Sequence, residues 1–234
     1  MNRNAPRSAL SPRTLKILLV GLAVLGVVGL ARFLWRPLMM SAPACMAGRR
    51  HGCFDTFNGV VLMALVALPL AALAVWALAS RRRAAGVASP WQKSLAEVGM
   101  VHGTVPFLWL TLMPGAEAGL VPGRLSWIPL RDLVTMGPLG IIGNLLVFAA
   151  LGFFGPMRFA ALASVPRVLA LGAACSTLVE TAQYVFRLDR VSSVDDVLVN
   201  AAGAALAALA SRRWWRGAEE APSDPGRRTL APTG

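Results

Sequence analysis

The sequence predicts an all-α integral membrane protein, a polytopic bundle of about six transmembrane helices. Two bulk properties of the 234-residue chain indicate this class, because 56% of its residues are hydrophobic and only 15% are charged. Soluble domains usually carry about 25% charged residues. The third observation is the pattern: apolar runs of about 20 residues, the length that crosses a bilayer, alternate with short basic clusters. We therefore interpret the apolar surplus as lipid-facing surface.

The basic charge of the chain does not indicate a nucleic-acid partner. The formal net charge is +12, but a nucleic-acid-binding domain would combine such charge with a basic stripe and interleaved aromatic residues on a soluble fold. Here the basic residues lie between the apolar runs, as membrane topology requires. The partners that this pattern favours are membrane lipids, and it carries no information on oligomeric state.

Six apolar runs are the candidate spans. Charged side chains near their ends, such as Lys16 and Arg32, can extend to the headgroups. The sixth run is short for a span, and Trp214 and Trp215 at its end are typical of a membrane interface. The predicted spans are Leu15–Trp35, Thr56–Ser80, Val98–Ala116, Leu133–Met157, Val168–Phe186 and Val197–Ser211.

The first run has a second interpretation, a secretory signal peptide. Basic residues precede it, and Ala42-Pro43-Ala44 before Cys45 resembles a cleavage site or a lipobox. However, Arg32 and Arg36 interrupt the path, and the candidate cleavage site lies too far beyond the apolar run. A retained first helix is the favoured interpretation.

The distribution of Lys and Arg predicts the orientation. If the N-terminus is cytoplasmic, 15 of the 23 basic residues fall on the cytoplasmic side and 8 on the outer side. The positive-inside rule then places both termini in the cytoplasm. Residues 214–234, which are rich in Pro, Gly and charge, are expected to form a disordered cytoplasmic tail.

The three cysteines fit this topology. Cys45 and Cys53 share the first outer loop, where an oxidising compartment would allow a disulfide; two free thiols are the alternative. Cys175 lies within the fifth span and is interpreted as a small buried apolar residue. No spacing resembles a zinc site, and no phosphate-binding loop or catalytic triad stands out, so the sequence predicts neither a metal nor a cofactor and leaves catalytic residues unassigned.

The stretch Arg187–Asn200 concentrates charge between two apolar runs. Ser193 can cap a helix, with Asp196 in the capping-box position three residues on, and Asp195 favours the positive end of that helix. Capping does not require Asn200, which lies one turn beyond Asp196 on the same face, and an unpaired amide in hydrocarbon is costly. The stretch therefore predicts a helix start that also contributes to a site.

Two other spans place polar groups at a similar depth. Glu180, Gln183 and Arg187 form one stripe on the fifth span, and Asn144 lies in the outer half of the fourth. Antiparallel helices joined by short loops are usually neighbours, so these faces are expected to converge. The candidate ligand-binding cluster is Asn144, Glu180, Gln183, Arg187, Arg190, Asp195, Asp196 and Asn200.

Two roles are open for this cluster. In a structural role, Arg187 or Arg190 neutralises Glu180, Asp195 or Asp196, and the network locks the helices together. In a binding role, the arginines hold a phosphate with their fork geometry, while the carboxylates and amides hold sugar hydroxyls.

The order and spacing of these residues resemble a known family. The pattern runs Asn144-x-x-x-Phe148-x-x-x-Gly152-Phe153, then Ser176-x-x-x-Glu180-x-x-Gln183, then Arg187 to Arg190, then Asp195-Asp196-x-x-x-Asn200-x-x-Gly203. Together with the Thr111-Leu112-x-Pro114 turn and the Ile128-Pro129 segment, it resembles the VanZ-like family over about Ser94–Arg213. The family's characteristic polar residues fall on Asn144, Glu180, Gln183, Arg190, Asp195, Asp196 and Asn200.

The resemblance implies a multi-pass protein of the bacterial inner (plasma) membrane, in a family named for a protein linked to teicoplanin resistance. The implied organisation is a two-helix membrane hairpin at residues 1–93, a VanZ-like four-helix domain at 94–213 and the tail at 214–234.

Three functional hypotheses follow. In the leading one, an outward-facing polar pocket binds an envelope lipid or a lipid-linked glycan intermediate and thereby affects antibiotic susceptibility. The second is an enzyme that acts on such a lipid, with Glu180 or Asp196 as general base. The third is a scaffold protein whose polar cluster only locks the helices.

Overall fold

The chain folds into membrane-length helices with very little strand. The computed structural model describes residues 12–218. Most of the expected disordered tail, residues 219–234, lies outside this range, and the part within it belongs to a 3-10 helix at Arg212–Ala218.

The elements of residues 12–218 follow one another with short connections. A π-helical turn at Pro37–Ser41 joins the first two helices, and a 3-10 turn at Ala160–Leu162 precedes α8. The α-helices are α1 (Pro12–Arg36), α2 (Ala42–Met46), α3 (Phe57–Ala84), α4 (Pro90–Leu112), α5 (Arg131–Thr135), α6 (Gly137–Val147), α7 (Ala149–Arg158), α8 (Val165–Val185) and α9 (Val194–Ser211). The strands are β1 (Arg124–Ser126) and β2 (Val191–Ser193).

Within residues 12–218, six segments are long and apolar enough to cross a membrane, which confirms the prediction of an all-α bundle with six spans. They are Lys16–Met46, Phe57–Ala84, Pro90–Leu112, Gly137–Arg158, Val165–Val185 and Val194–Trp215. The sixth has 22 residues, so it is longer than the sequence predicted. Asp195 and Asp196 consequently lie in the first turn of the spanning helix and not before it.

The fourth span is two helices in line. α6 ends at Val147 and α7 begins at Ala149, because Phe148 between them leaves the helical region, with φ −113° and ψ 15°. Phe148 is buried in the main apolar core. The core consists of Val147, Phe148, Val168, Val179, Ala204 and Ala208, and the half-buried Cys175 packs against it.

The structure divides into two compact units, residues 1–63 and 64–234. Arg82 near the end of α3 lies in the second unit and contacts α4. Its Nη1 donates to Ser94 Oγ at 2.8 Å and its Nη2 to Glu97 Oε2 at 2.5 Å, both on α4. Most of α3 therefore belongs with the later helices.

The first unit contains α1, α2 and a loop closed by a disulfide between Cys45 and Cys53, whose Cα atoms are 4.9 Å apart. In this loop Asp55 Oδ1 accepts the Gly52 N–H at 2.6 Å, and Asp55 Oδ2 lies 2.7 Å from His51 Nδ1. These two contacts, the Gly52 hydrogen bond foremost, hold the pKa of Asp55 below its usual value of 3.8.

In the second unit, glycines let α6 and α7 approach α9 closely. A Cβ at Gly203 would lie 2.0 Å from the carbonyl oxygen of Leu145, and one at Gly152 would lie 2.0 Å from that of Ala204. Close backbone approach through small residues is typical of helix packing in membranes. It brings the polar faces of α6 and α9 together.

The second unit has two chemically different ends. The cluster end contains the C-termini of α4 and α8 and the N-termini of α6 and α9. Here β1 and β2 pair in parallel, with Leu125 opposite Ser192, a small sheet that sequence patterns did not indicate. The basic end contains the C-termini of α3, α7 and α9 and the N-terminus of α4.

Candidate functional site

The start of α9 is held by the end of α8. Ser193 is the N-cap, as predicted, and its Oγ accepts the Asp195 N–H at 3.1 Å. In a capping box the acid three residues on accepts the N–H of the N-cap residue. Here Glu180 of α8 takes that position, with Oε2 2.9 Å from the Ser193 nitrogen. The capping-box interpretation of Asp196 is therefore wrong, and Asp196 turns to another helix.

Asp195 fastens the segment that precedes α6. Its side chain is 1% exposed. Oδ1 accepts the Leu130 N–H at 2.5 Å, and Oδ2 accepts the N–H groups of Asp132 at 2.8 Å and Leu133 at 3.0 Å. These amides begin the short helix α5, where N–H groups lack partners within the helix. Asp195 therefore caps α5 from α9.

Asp196, Asn144 and Asn200 form the membrane-embedded part of the cluster. Asn144 Nδ2 donates to Asp196 Oδ1. One turn further along α9, Asn200 Nδ2 donates to Ser176 Oγ of α8 at 2.8 Å. Asn200 is 2% exposed, and its Oδ1 has no hydrogen-bond partner among residues 12–218, a property shared there with Thr104 Oγ1. A buried acceptor without a donor costs free energy.

Within residues 12–218, the acidic side chains Glu180, Asp195 and Asp196 of the cluster form no ion pair with a basic side chain. The ion pairs found within residues 12–218 involve neither Arg187 nor Arg190. The ion pair by which Arg187 or Arg190 would neutralise Glu180, Asp195 or Asp196 is therefore not formed within residues 12–218.

Arg190 and Gln183 close the C-terminal end of α4. Gln183 Nε2 donates to the carbonyl oxygen of Thr111 at 2.9 Å. Arg190 donates through Nε to Met113 and through Nη2 to Leu110, both at 3.1 Å to the carbonyl oxygen. The last carbonyls of a helix lack partners within it, so both side chains satisfy polar backbone at this end.

Arg187 lies apart from the other residues of the candidate cluster. It is exposed, its φ is +50°, and its side chain makes no hydrogen bond or ion pair within the described range 12–218. The neighbouring Asp189 pairs instead with Arg124, at 3.2 Å.

One family model covers most of the second unit. It is described as VanZ/LLP1 and matches residues 65–215. The chain belongs to the VanZ-like family. No curated protein and no solved structure shows significant similarity to it.

The VanZ-like match begins inside α3, close to the start of the second unit and earlier than the expected start at Ser94. All eight residues of the candidate cluster lie within it. Together with the six apolar segments, the match identifies a VanZ-like multi-pass membrane protein.

Sequence reasoning did not identify Asp132, which belongs to the same network of this VanZ-like protein. Its Oδ2 accepts the hydroxyl of Ser193 at 2.6 Å. Hydrogen bonds from Ser126 and Ser193 hold the pKa of Asp132 below its usual value of 3.8. The available signal was an acidic residue in the first turn of a short helix.

Three acceptor atoms of the VanZ-like cluster are unused. Glu180 Oε1, Asp196 Oδ2 and Asn200 Oδ1 make no hydrogen bond within residues 12–218. In the same range no group of three His, Cys, Asp or Glu residues is arranged to hold a metal ion. The arrangement can accept hydrogen bonds from hydroxyl or ammonium groups.

Proposed function

We propose that this VanZ-like protein binds the polar headgroup of a membrane lipid or lipid-linked glycan at Asn144, Glu180, Asp196 and Asn200. The observation that carries the proposal is the set of unused acceptors in the spanning helices α8 and α9. Ionisable residues inside a membrane are costly and are usually paired or functional. Glu180 and Asp196 have no cation in direct contact within residues 12–218, so a ligand that brings donors would satisfy them.

The ligand that fits these acceptors carries hydroxyl or ammonium groups. Carboxylate and amide oxygens each accept more than one hydrogen bond, and the polar hydrogens of a sugar or an amine headgroup supply the donors. Leu178 and Leu198, on the same two helices, are 71% and 49% exposed and offer apolar surface for acyl chains. A phosphate on such a headgroup would find Arg187 unengaged, whereas Arg190 is committed to the end of α4.

The cluster end is proposed to face outward in the bacterial inner membrane. The support is the charge of the second unit, since positive residues favour the cytoplasmic side. The basic end carries Arg81, Arg82, Arg83, Lys93, Arg158, Arg167, Arg212 and Arg213, and the cluster end carries Arg124, Arg131, Arg187 and Arg190. An envelope lipid of the outer leaflet would then approach the cluster from its own leaflet.

The decisive experiment is lipid mass spectrometry on the purified protein and on Glu180→Gln and Asp196→Asn variants, with Glu117→Gln as the matched control. Glu117 is an exposed acid at the same end whose side chain takes no part in the cluster. A charge-assisted hydrogen bond is worth roughly 1.5–3 kcal/mol, so each cluster variant should retain the ligand at least about tenfold less. The control should retain it unchanged.

The result that would overturn the proposal is an identical lipid profile in equally folded wild type and cluster variants. If both cluster variants lose structure without any lipid having been retained by the wild type, the cluster only locks the helices. The roles of Asp195, Gln183 and Arg190 in capping α5 and α4 already favour a structural contribution from those three residues.

A membrane enzyme is the second candidate, favoured by two neighbouring carboxylates with free oxygens. Glu180 or Asp196 would serve as general base towards a lipid-linked substrate. Turnover of a retained lipid by the wild type, lost in Glu180→Gln while binding persists, would separate catalysis from binding.

An effect on teicoplanin susceptibility is the furthest part of the proposal, and family membership supports it. Expression of the wild type in a susceptible host should raise the inhibitory concentration of teicoplanin, and Asp196→Asn should abolish the increase. An unchanged inhibitory concentration with the wild type would restrict the function to lipid binding.

A further inference from the structure

The basic end contains an acid shared by two arginines. Glu97 Oε2 lies 2.5 Å from Arg82 Nη2, and Glu97 Oε1 accepts from Arg158 Nε. Arg82 Nη1 also donates to Ser94 Oγ at 2.8 Å, and Ser94 is fully buried. One carboxylate therefore joins α3, α4 and α7 and leaves one positive charge uncompensated.

Arg158 keeps most of its hydrogen-bonding capacity. Only its Nε donates a hydrogen bond, so neither Nη group has a hydrogen-bond partner among residues 12–218, and the guanidinium lies over the Phe159 ring, 4.9 Å from its centroid. The side chains of Arg82 and Arg158 are 22% and 33% exposed, which leaves their outer edges accessible. A guanidinium edge with two parallel N–H groups matches two oxygens of a phosphate.

The surroundings add positive charge. Among residues 12–218 the basic end has no acid besides Glu97. The 3-10 helix that follows α9 is held there because Gln92 Nε2 donates to the Trp214 carbonyl oxygen at 2.9 Å. Arg213 lies over the Trp214 ring, 4.0 Å from its centroid. Tryptophan with arginine is typical of the headgroup level of a membrane.

We propose that Arg158, positioned by Glu97 and assisted by Arg82, binds the phosphate of an anionic phospholipid in the leaflet that faces the basic end. Glu97 lies in the second turn of the spanning helix α4, so the two guanidinium groups lie near the headgroups and not at the bilayer centre. The excess positive charge excludes neutral headgroups as the preferred ligand and favours anionic ones. This site is separate from the polar cluster at the other end of the unit.

The test is native mass spectrometry of the full chain in detergent with equal amounts of phosphatidylglycerol and phosphatidylcholine of identical acyl chains. Both lipids carry the phosphodiester, but only phosphatidylcholine carries an ammonium group that the uncompensated positive charge repels, so the wild type should retain phosphatidylglycerol about fivefold over phosphatidylcholine. Arg158→Gln should lose most of this preference. Arg158→Lys keeps the charge and an ion pair to Glu97 but lacks the fork, so the amount of phosphatidylglycerol that it retains should fall several-fold.

Arg83→Gln and Arg83→Lys are the matched controls. Arg83 is an exposed arginine at the same end without a contact to Glu97. Equal losses in Arg83→Gln and Arg158→Gln would show diffuse charge attraction and overturn the site. If Arg158→Gln does not fold, Arg158→Lys is compared with Arg83→Lys. A larger loss of phosphatidylglycerol in Arg158→Lys would support a specific site, and equal losses would overturn it.

Two further outcomes would overturn the proposal. The first is equal retention of both lipids by the wild type. The second is stabilisation by millimolar inorganic phosphate, without lipid, as large as that by phosphatidylglycerol, since the ligand would then be a soluble phosphate. Glu180→Gln should leave this lipid preference unchanged, so failure here is distinguishable from failure at the polar cluster.

Discussion

The acids of the spanning helices are held differently at the two ends of the second unit. At the basic end, Glu97 is held between two arginines. At the cluster end, the hydrogen bonds that Glu180 and Asp196 accept within residues 12–218 come from neutral donors, the Ser193 N–H and the Asn144 amide. Both acids lie in spanning helices, where an uncompensated charge is costly.

The difference separates assembly from candidate function. Both carboxylate oxygens of Glu97 accept hydrogen bonds from arginines, and Glu97 joins three helices in this way. Glu180 and Asp196 each keep one oxygen without a hydrogen bond within residues 12–218 and are therefore available to a ligand. Assembly at the cluster end depends instead on Asp195, whose two oxygens accept three backbone N–H groups.

The largest effect on stability is expected for Asp195→Ala. The substitution leaves the N–H groups of Leu130, Asp132 and Leu133 without an acceptor, with a loss of about 4 kcal/mol in the free energy of unfolding. Asp195→Asn retains an acceptor oxygen and should lose roughly half as much. Unfolding of purified protein in increasing denaturing detergent measures both, and wild-type stability of Asp195→Ala would refute the capping role.

The next largest loss of stability is expected for Gly203→Ala, because the added methyl group forces α9 away from α6. A Cβ there would meet the Leu145 carbonyl oxygen at 2.0 Å, and backbone cannot rotate away as a side chain can. The expected loss is about 2–3 kcal/mol. Gly143→Ala on α6 is the control, because nothing lies within 4 Å of its Cβ, and it should keep or slightly raise the stability. Similar losses in the two variants would contradict close packing at Gly203.

The number of spans and the shared helix face of Asp196 and Asn200 could be predicted from the sequence because both depend on local properties. Hydropathy over about 20 residues marks a span, and helical periodicity places Asp196 and Asn200 on one face. The start of α9 was equally local, since Ser193 needs only its own neighbours to cap the helix.

The partners of the cluster residues could not be predicted in the same way. Whether Arg190 meets a carboxylate or the carbonyls of Leu110 and Met113 depends on where α4 ends relative to α8. The same holds for Glu180, which takes the N–H that the sequence pattern assigned to Asp196. The donors of Arg190 can find acceptors in either arrangement, and the packing of the helices decides which acceptors they meet.

A smaller change in stability is expected when one negative charge is removed from each end in turn, and the two changes should differ. Glu97→Gln leaves Arg82 and Arg158 facing each other across a neutral amide, with an expected loss of about 1–2 kcal/mol. Glu180→Gln can still accept the Ser193 N–H through its amide oxygen, and it breaks no ion pair formed within residues 12–218. Its stability should equal or exceed that of the wild type in the same detergent titration. A larger loss of stability in Glu180→Gln than in Glu97→Gln would contradict this assignment. It would mean that Glu180 has a cationic partner and that the ion pairs of Glu97 contribute little.

The smallest effect is a pH dependence at the cluster end that comes from Asp132, outside the spans. Because the folded-state pKa of Asp132 lies below the usual 3.8, its contribution to stability is fully present above that value and is lost as the pH falls through the folded-state pKa. The carboxylate accepts hydroxyl hydrogen bonds from Ser126 and Ser193, and an Asn at this position, being neutral, resembles the protonated form.

Hydrogen exchange of the amides of residues 130–133 measures this effect in wild type and Asp132→Asn, from about pH 6 down to about pH 3. The wild type should be better protected near neutral pH, and the difference between the two proteins should shrink towards zero at the acid end. Taking the difference at each pH removes the intrinsic pH dependence of exchange and any titration common to both proteins. A difference that stays constant across the range would show that the charge of Asp132 does not stabilise the segment, and that Asp195 alone holds it.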